Sequence, residues 1–308
     1  MNVAREQRRG PAGRLRHGES LADHTFWGIG GPAARFYEPL DADDLCAFLA
    51  ALDPAEPLLW IGLGSNLLVR DGGFDGTVVH LAGALESVRR VADRRVRAES
   101  GAACPKVARW CAREGLGGCE FLAGIPGTLG GALAMNAGAF GGETWAWVGA
   151  VETVDRRGVR RRRTPNDYRI GYRSVIPVDA APGGEWFLAA ELALCAGDSA
   201  AARARIKALL ARRGATQPLG SRSCGSVFRN PPGDHAARLI ERCGLKGKRI
   251  GSAVISPKHA NFIVNEGGAS AADVEALMEL IVTTVEARCG VRLTAEVRIV
   301  GRRAEVSR

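Results

Sequence analysis

Glycine is unevenly distributed in this chain, and its clusters restrict the fold more than any other feature. Three segments carry it: Gly28-Ile-Gly-Gly31, Gly62-Leu-Gly-Ser-Asn66 and Gly124-Ile-Pro-Gly-Thr-Leu-Gly-Gly131, the last running on to Met135-Asn136-Ala-Gly138. A residue without a Cβ lets main-chain N–H groups converge and lets a ligand approach the backbone, which is how phosphate oxyanions are held without a dedicated cation. One such segment alone reads as a tight turn. Three within about a hundred residues point to a ligand carrying a diphosphate. The Pro126-Gly127 turn leads into a run of small apolar residues that reads as the start of a helix, whose N-terminus would add its dipole.

The familiar nucleotide motifs do not fit. Gly28 to Ala33 formally matches G-x-G-x-x-A, but Pro32 and the following Arg-Phe-Tyr-Glu read as strand where the dinucleotide fingerprint needs a helix. There is no G-x-x-x-x-G-K-[ST] and no H-E-x-x-H, and the five histidines lack ligand spacing, so metal catalysis has no support. The eight cysteines contain no C-x-x-C pair and read as reduced, mostly buried thiols.

A length of 308 residues with 46% hydrophobic and 24% charged residues allows about two globular domains and excludes a mostly disordered chain. No apolar run approaches the length of a membrane span, and the basic, polar first 20 residues lack the core of a secretory signal. A soluble cytoplasmic protein with a frayed tail over residues 1–18 is expected. The net charge of +9 concentrates anions without naming them. The basic run Arg156–Arg163 surrounds a D-R-R-G turn without interleaved aromatics, so it reads as a solvated hairpin and not as a nucleic-acid patch.

Periodicity and capping residues predict the elements. A helix fits 41–52 behind Asp41, with strands at 58–61, 66–69 and 76–81, which makes a small α+β unit. Further helices fit from Pro105 to Gly115, near 199–212, over 234–243 and over 270–289. The last has the S-x-x-D start of a capping box (Ser270, Asp273) and a stop at Gly290. A hairpin fits 148–163, and alternation over 292–300 reads as a final strand.

Five runs together resemble a known family. They are Gly62-Leu-Gly-Ser-Asn-Leu-Leu-Val-Arg-Asp71, Phe121-Leu-Ala-Gly-Ile-Pro-Gly-Thr-Leu-Gly-Gly131 with Met135-Asn-Ala-Gly138, Cys224-Gly-Ser-Val-Phe-Arg-Asn-Pro231, Lys258-His-Ala-Asn-Phe-Ile-Val-Asn265 and Glu296-Val-Arg. In this order, over about residues 24 to 301, they resemble the UDP-N-acetylenolpyruvoylglucosamine reductases. The resemblance implies an α+β FAD-binding fold of the vanillyl-alcohol oxidase (PCMH-like) type with a C-terminal α/β substrate domain. It divides the chain into a tail (1–18), a first FAD-binding subdomain (19–84, joined by 292–301), a second (85–197) and a substrate-binding domain (198–291). The implied activity is NADPH-linked reduction of a UDP-sugar enolpyruvyl ether in peptidoglycan synthesis, by a monomer with no nucleic-acid or membrane partner.

The resemblance also implies the site. Gly62, Gly64, Ser65 and Asn66, with Gly124, Ile125, Pro126, Gly127, Gly130 and Gly131, would wrap the diphosphate of non-covalent FAD, with Asn136 and Gly138 near the flavin. Ser226 matches the proton donor, Arg173 the arginine on the reacting carboxylate, and Glu296 its partner in stabilising the developing anion; Arg229 and Asn230 would line the substrate site. On residue type alone Ser226 reads as a turn cap, Arg173 as one of 37 surface arginines and Glu296 as an exposed carboxylate. Lys258, His259 and Asn261 read equally as structural residues.

Three positions depart from the family pattern. Ser174 directly follows Arg173, Ala295 stands where proline is common, and Arg229 replaces a lysine, exchanging a point charge for a planar fork. The 173-to-226 spacing matches the shorter form of the enzyme, which lacks a tyrosine-bearing loop. These departures leave an alternative, another flavin oxidase or dehydrogenase of the same fold.

Overall fold

The structure is a computed structural model that describes residues 11–179 and 184–304. The described chain forms two units, each built from separated segments. The first holds the residues up to Arg16, Phe36–Gly62 and Val78–Ile206; the second holds His17–Arg35, Leu63–Thr77 and the residues from Lys207 on.

The first unit is organised around a five-stranded antiparallel sheet in the order Arg160–Arg163, Val148–Asp155, Glu185–Ala193, Arg95–Glu99 and Val88–Ala92. Alternation sets its faces: Val96 and Ala98 point into the core, while Arg95, Arg97 and Glu99 point outward. The arginine run forms the outer strand of a hairpin. Its charges are matched along the sheet by Asp155 to Arg161 (2.9 Å), Glu191 to Arg162 (2.8 Å) and Glu185 to Arg163 (2.8 Å). Helix α1 (Ala42–Ala51) starts where Asp41 accepts the N–H groups of Asp43 and Asp44, and it buries Leu45 and Leu49 against Val79, Leu81, Val154 and Leu188. Helices α2 (Cys104–Arg113) and α3 (Leu129–Ala134) lie in the same unit.

The tail expected over residues 1–18 is corrected in part. Residues 1–10 lie outside the described residues, but Arg14–Ser20 is a strand at the edge of a four-stranded sheet ordered Arg14–Ser20, Pro32–Glu38, Phe74–His80 and Leu58–Ile61. It is tied down by Asp44, whose carboxylate accepts the N–H groups of Ala12 (2.5 Å) and Gly13 (3.1 Å) and the Tyr37 hydroxyl (2.6 Å). A Cβ on Gly13 would lie 2.6 Å from that hydroxyl, so this knot accepts only glycine there.

Helix α4 (Ser199–Thr216) leads into the second unit, which packs α5 (Ala236–Arg242) and α6 (Ala271–Cys289) with the antiparallel strands Arg249–Ile250, Ala253–Ile255 and Ile263–Asn265. The capping box at Ser270 and Asp273 is present, and Asp71 adds its carboxylate to the N–H groups of Ala271 (2.9 Å) and Ala272 (3.2 Å). Gly290, at φ 67°, ends the helix. Val274, Leu277, Met278, Ile281 and Val285 recur at helical spacing and are buried with Val227, Phe228, Leu239, Ile240 and Ile255. At about 1.5–3 kcal/mol per side chain, this stripe holds the unit together.

The predicted strand over 292–300 divides in two. Arg298–Val300 pairs in parallel with Leu67–Val69, while Ala295 bridges antiparallel to Phe228. One alternating stretch thus serves two partners.

Candidate active site

In the first unit, Gly62 and the Gly124–Gly131 segment meet at Thr128. A Cβ on Gly62 would lie 2.3 Å from Thr128 Oγ1, so glycine is what lets the two stretches approach. Thr128 caps α3 and accepts from Gly131 N–H at 3.5 Å. The N–H groups of Leu129 and Gly130 donate to the carbonyls of Ala102 and Ser100, both at 2.8 Å. The helix expected at this turn is therefore present, but it is short and its first turn is already satisfied within the chain. Ile125 is buried and Pro126 half-buried beside Gly127, whose carbonyl accepts from Cys104 N–H at 2.9 Å. The Phe140 ring covers Gly124, 2.4 Å from where its Cβ would be. Gly131 differs: it is exposed, with nothing closer to its absent Cβ than Thr128 Oγ1 at 3.8 Å.

Next along the chain, buried Asn136 holds φ 44°, a conformation that asparagine tolerates because its short side chain can bond locally. Its amide donates to Glu143 (2.9 Å) and to the Gly171 carbonyl (3.2 Å), and its Oδ1 accepts from Trp145 N–H (3.1 Å). Arg173 is the second of two turn residues joining Tyr168–Gly171 to Ser174–Pro177, at φ 53°. Its guanidinium donates to the carbonyls of Asn136 (3.5 Å) and Gly138 (3.3 Å) and lies 5.1 Å from the Tyr172 ring centroid. Ser174 is consumed as the first residue of the return strand, paired with Gly171. A strained turn, anchored on the Asn136–Gly138 backbone, thus sets the position of this arginine.

In the second unit the acid motif folds against the first glycine loop. Glu296 N–H donates to the Val227 carbonyl at 2.7 Å and Arg229 N–H to that of Thr294 at 2.9 Å, and both Ser226 and Glu296 are half-buried. Asn66 donates its side-chain amide to the Glu296 carbonyl (3.1 Å) and accepts from Arg298 N–H (3.2 Å). Gly64, at φ 60°, would place a Cβ 2.0 Å from the His24 carbonyl oxygen, and Ser65 follows, half-buried. The Cys224 thiol donates to the carbonyls of Gly64 (3.5 Å) and Leu67 (3.3 Å); burial pushes its pKa up to about 12, so it is an inert strut. Ala295, in the place of the usual proline, still pairs with Phe228.

The sequence-predicted residues therefore fall into two groups. Gly62, the Gly124–Gly131 segment, Asn136, Gly138 and Arg173 lie together in the first unit; Gly64, Ser65, Asn66, Ser226, Arg229 and Glu296 lie together in the second. Asn230 turns its Oδ1 to Ala236 N–H (3.1 Å), so that oxygen caps α5. Of the residues left open, Asn261 is structural. Its side chain brackets the Phe228 backbone with two hydrogen bonds (3.0 and 2.8 Å), and its carbonyl accepts from Val227 N–H (2.9 Å). Lys258 donates to the Gly214 carbonyl at 2.6 Å, and His259, its pKa lowered by burial and by the Lys246 charge, stacks edge-on against Phe262. Thr128 and Glu143 escaped the sequence reading; only a threonine before a run of small residues hinted at the first.

The Gly28–Gly31 segment is packed against its own chain. A Cβ on Gly31 would lie 2.2 Å from the Asp71 carbonyl oxygen and one on Gly30 3.0 Å from Val69. In the other two glycine segments Gly131 is exposed and Gly62, Ser65, Asn66 and Gly130 are half-buried. Arg229 Nε is buried and has no hydrogen-bond partner among the described residues, which suits a visiting anion. Among the described residues, no group of three or more His, Cys, Asp or Glu is placed to hold a metal ion, and no helix is long and apolar enough to cross a membrane.

A family model described as FAD binding domain matches residues 33–162, the span that contains the loops at 62–66 and 124–131. Fold and loops together define a flavin-binding protein. A second model, the UDP-N-acetylenolpyruvoylglucosamine reductase C-terminal domain, matches residues 217–300. The chain is 60% identical to the UDP-N-acetylenolpyruvoylglucosamine reductase of Alkalilimnicola ehrlichii, over 96% of this chain and 97% of that protein. It is also 60% identical to the enzyme of that name from Methylococcus capsulatus, over 92% of each. The crystal structure of the UDP-N-acetylenolpyruvylglucosamine reductase from Thermus caldophilus superposes with a TM-score of 0.80 at 34% identity, covering 93% of this chain and 99% of that one. The chain belongs to the UDP-N-acetylenolpyruvoylglucosamine reductase family.

Proposed function

We propose that Ser226, Glu296 and Arg173 are the catalytic groups of this reductase. The protein is an FAD- and NADPH-dependent oxidoreductase that reduces the enolpyruvyl ether of UDP-N-acetylglucosamine in peptidoglycan synthesis. The observation that supports the assignment is the chain of contacts from Asn66 through the Glu296 carbonyl to the Val227 backbone, because it ties the main chain of Glu296 and of the residue after Ser226 to the glycine loop at 64–66.

The exposed backbone at Gly131, with Gly62 and Gly127, would hold the FAD diphosphate. FAD held there would supply the hydride for reduction of the enolpyruvyl double bond. Arg173 binds the substrate carboxylate, a charge-assisted contact for which its planar guanidinium is suited. As negative charge develops on the adjacent carbon and carboxylate, Arg173 and Glu296 stabilise it. Ser226 moves its hydroxyl proton to that carbon. Arg229 takes a substrate phosphate oxygen. The enzyme acts as a monomer in the cytoplasm, with residues 198–291 as its substrate-binding domain. The test is purification, a visible spectrum for flavin, and NADPH oxidation followed with and without the enolpyruvyl substrate. A yellow protein inert toward that substrate would defeat the substrate assignment.

A further inference from the structure

We propose that Cys243 and Cys289 form an oxidisable dithiol, which a hydroperoxide converts into a disulfide clamping the end of α5 to the end of α6. The sulfurs lie 3.8 Å apart on residues 46 positions apart in the chain. A disulfide requires about 2.05 Å, so small side-chain rotations close the gap if the backbone yields slightly. Both ends can yield. Cys243 is the C-cap of α5 and is followed by Gly244 at φ 70°; Cys289 is the last residue of α6 and is followed by Gly290 at φ 67°. Among the described residues, nothing beyond its own chain neighbours lies within 4 Å of the Cβ position of either glycine.

The two thiols are not equivalent. Cys289 is half-buried and reachable, whereas Cys243 is 4% exposed. Arg288 donates to the Cys243 carbonyl at 3.2 Å, and the charges of Arg242 and Arg288 act on the Cys243 thiol. Burial still raises the Cys243 pKa, which leaves Cys289 as the attacking thiol. The Cys289 thiolate attacks the terminal peroxide oxygen, the O–O bond breaks, and the other oxygen leaves, after taking a proton, as water from hydrogen peroxide or as the alcohol of an organic hydroperoxide. The resulting sulfenic acid on Cys289 is attacked by the Cys243 thiol; the S–O bond breaks, water leaves and the S–S bond forms. Two thiols lose two electrons, and one peroxide gains two. A second thiol pair, Cys111 and Cys119, is 0% and 1% exposed, so an oxidant in solution does not reach it.

The test treats the folded full-length protein with hydrogen peroxide, blocks the remaining thiols, and maps a non-reduced digest by mass. The expected product is one linked peptide pair, Cys243 to Cys289, lighter by two hydrogens. A rise in Tm of several degrees should accompany it, reversed by dithiothreitol and absent in Cys289→Ser and in Cys243→Ala. Three results would overturn the proposal: oxygen adducts on Cys289 with Cys243 still alkylatable, a cross-link that forms only in urea-unfolded chain, or a disulfide that lowers Tm.

Discussion

The side-chain amide of Asn66 donates to the main-chain carbonyl of Glu296 at 3.1 Å, and the Asn66 carbonyl accepts from Arg298 N–H at 3.2 Å. The first glycine loop and the acid strand are thereby one mechanical piece. Asn66→Ala removes the donor and should cost about 0.5–1.5 kcal/mol of stability, and it should lower flavin retention. Melting curves and the ratio of flavin to protein absorbance measure both effects.

Ser226→Ala should separate the two halves of the cycle. Flavin reduction by NADPH should remain close to the parent rate, while reoxidation by the enolpyruvyl substrate falls by about 10²–10⁴-fold. Rapid-mixing absorbance resolves the two phases, and normal reoxidation would remove Ser226 from the role of proton donor.

Two glycines make a paired test. Gly62→Ala drives a Cβ to 2.3 Å from Thr128 Oγ1 and should weaken the fold and the flavin site together. Gly131→Ala meets no atom closer than 3.8 Å, so the protein should fold normally. Loss of flavin from that variant, at an unchanged circular dichroism spectrum, would identify the space above Gly131 as the coenzyme's.

Asn136→Asp should place a carboxylate opposite Glu143, across a contact now spanning 2.9 Å. Repulsion and the lost donor should together cost about 1–3 kcal/mol and shift Arg173, whose guanidinium rests on the Asn136 carbonyl. A lower Tm at neutral pH that recovers partly in mild acid, with a raised KM for the substrate, is the expected pattern.

Asp44 predicts an acid limb. Burial raises its pKa, but hydrogen bonds from the Tyr37 hydroxyl and from Ala12, Leu40 and Gly13 N–H outweigh this and hold it below the ordinary value. A depressed carboxylate pKa stabilises the fold above the unfolded value, near 3.9, and this contribution is lost as pH falls through the folded value. Asp44→Asn should cost about 1–3 kcal/mol at neutral pH and should flatten the loss of stability below about pH 4, as denaturant titrations at several pH values would show.

Much of the architecture was legible because its causes are local. Asp41, Ser270 with Asp273, and Gly290 mark helix ends through atoms within four residues of themselves. The strand Arg14–Ser20 was not legible, because the carboxylate that holds its start belongs to Asp44, about 30 positions away. Alternation over 292–300 announced extended chain but not its two partners, since periodicity carries no information on pairing. Glycine content alone could not distinguish Gly31, which packs against the carbonyl of Asp71, from Gly131, which opens outward. Resemblance supplied Arg173, but the left-handed turn that aims it arises from contacts with Asn136 and Gly138 that no local pattern encodes.

The parallel pairing of Arg298–Val300 with Leu67–Val69 imposes an order on biosynthesis. The loop at 64–66 leaves the ribosome early, yet the strand that completes its far wall is translated more than two hundred codons later. A nascent chain paused before that point carries every glycine of the loop and half of its seat, and it should stay colourless until the final turn of synthesis delivers the rest.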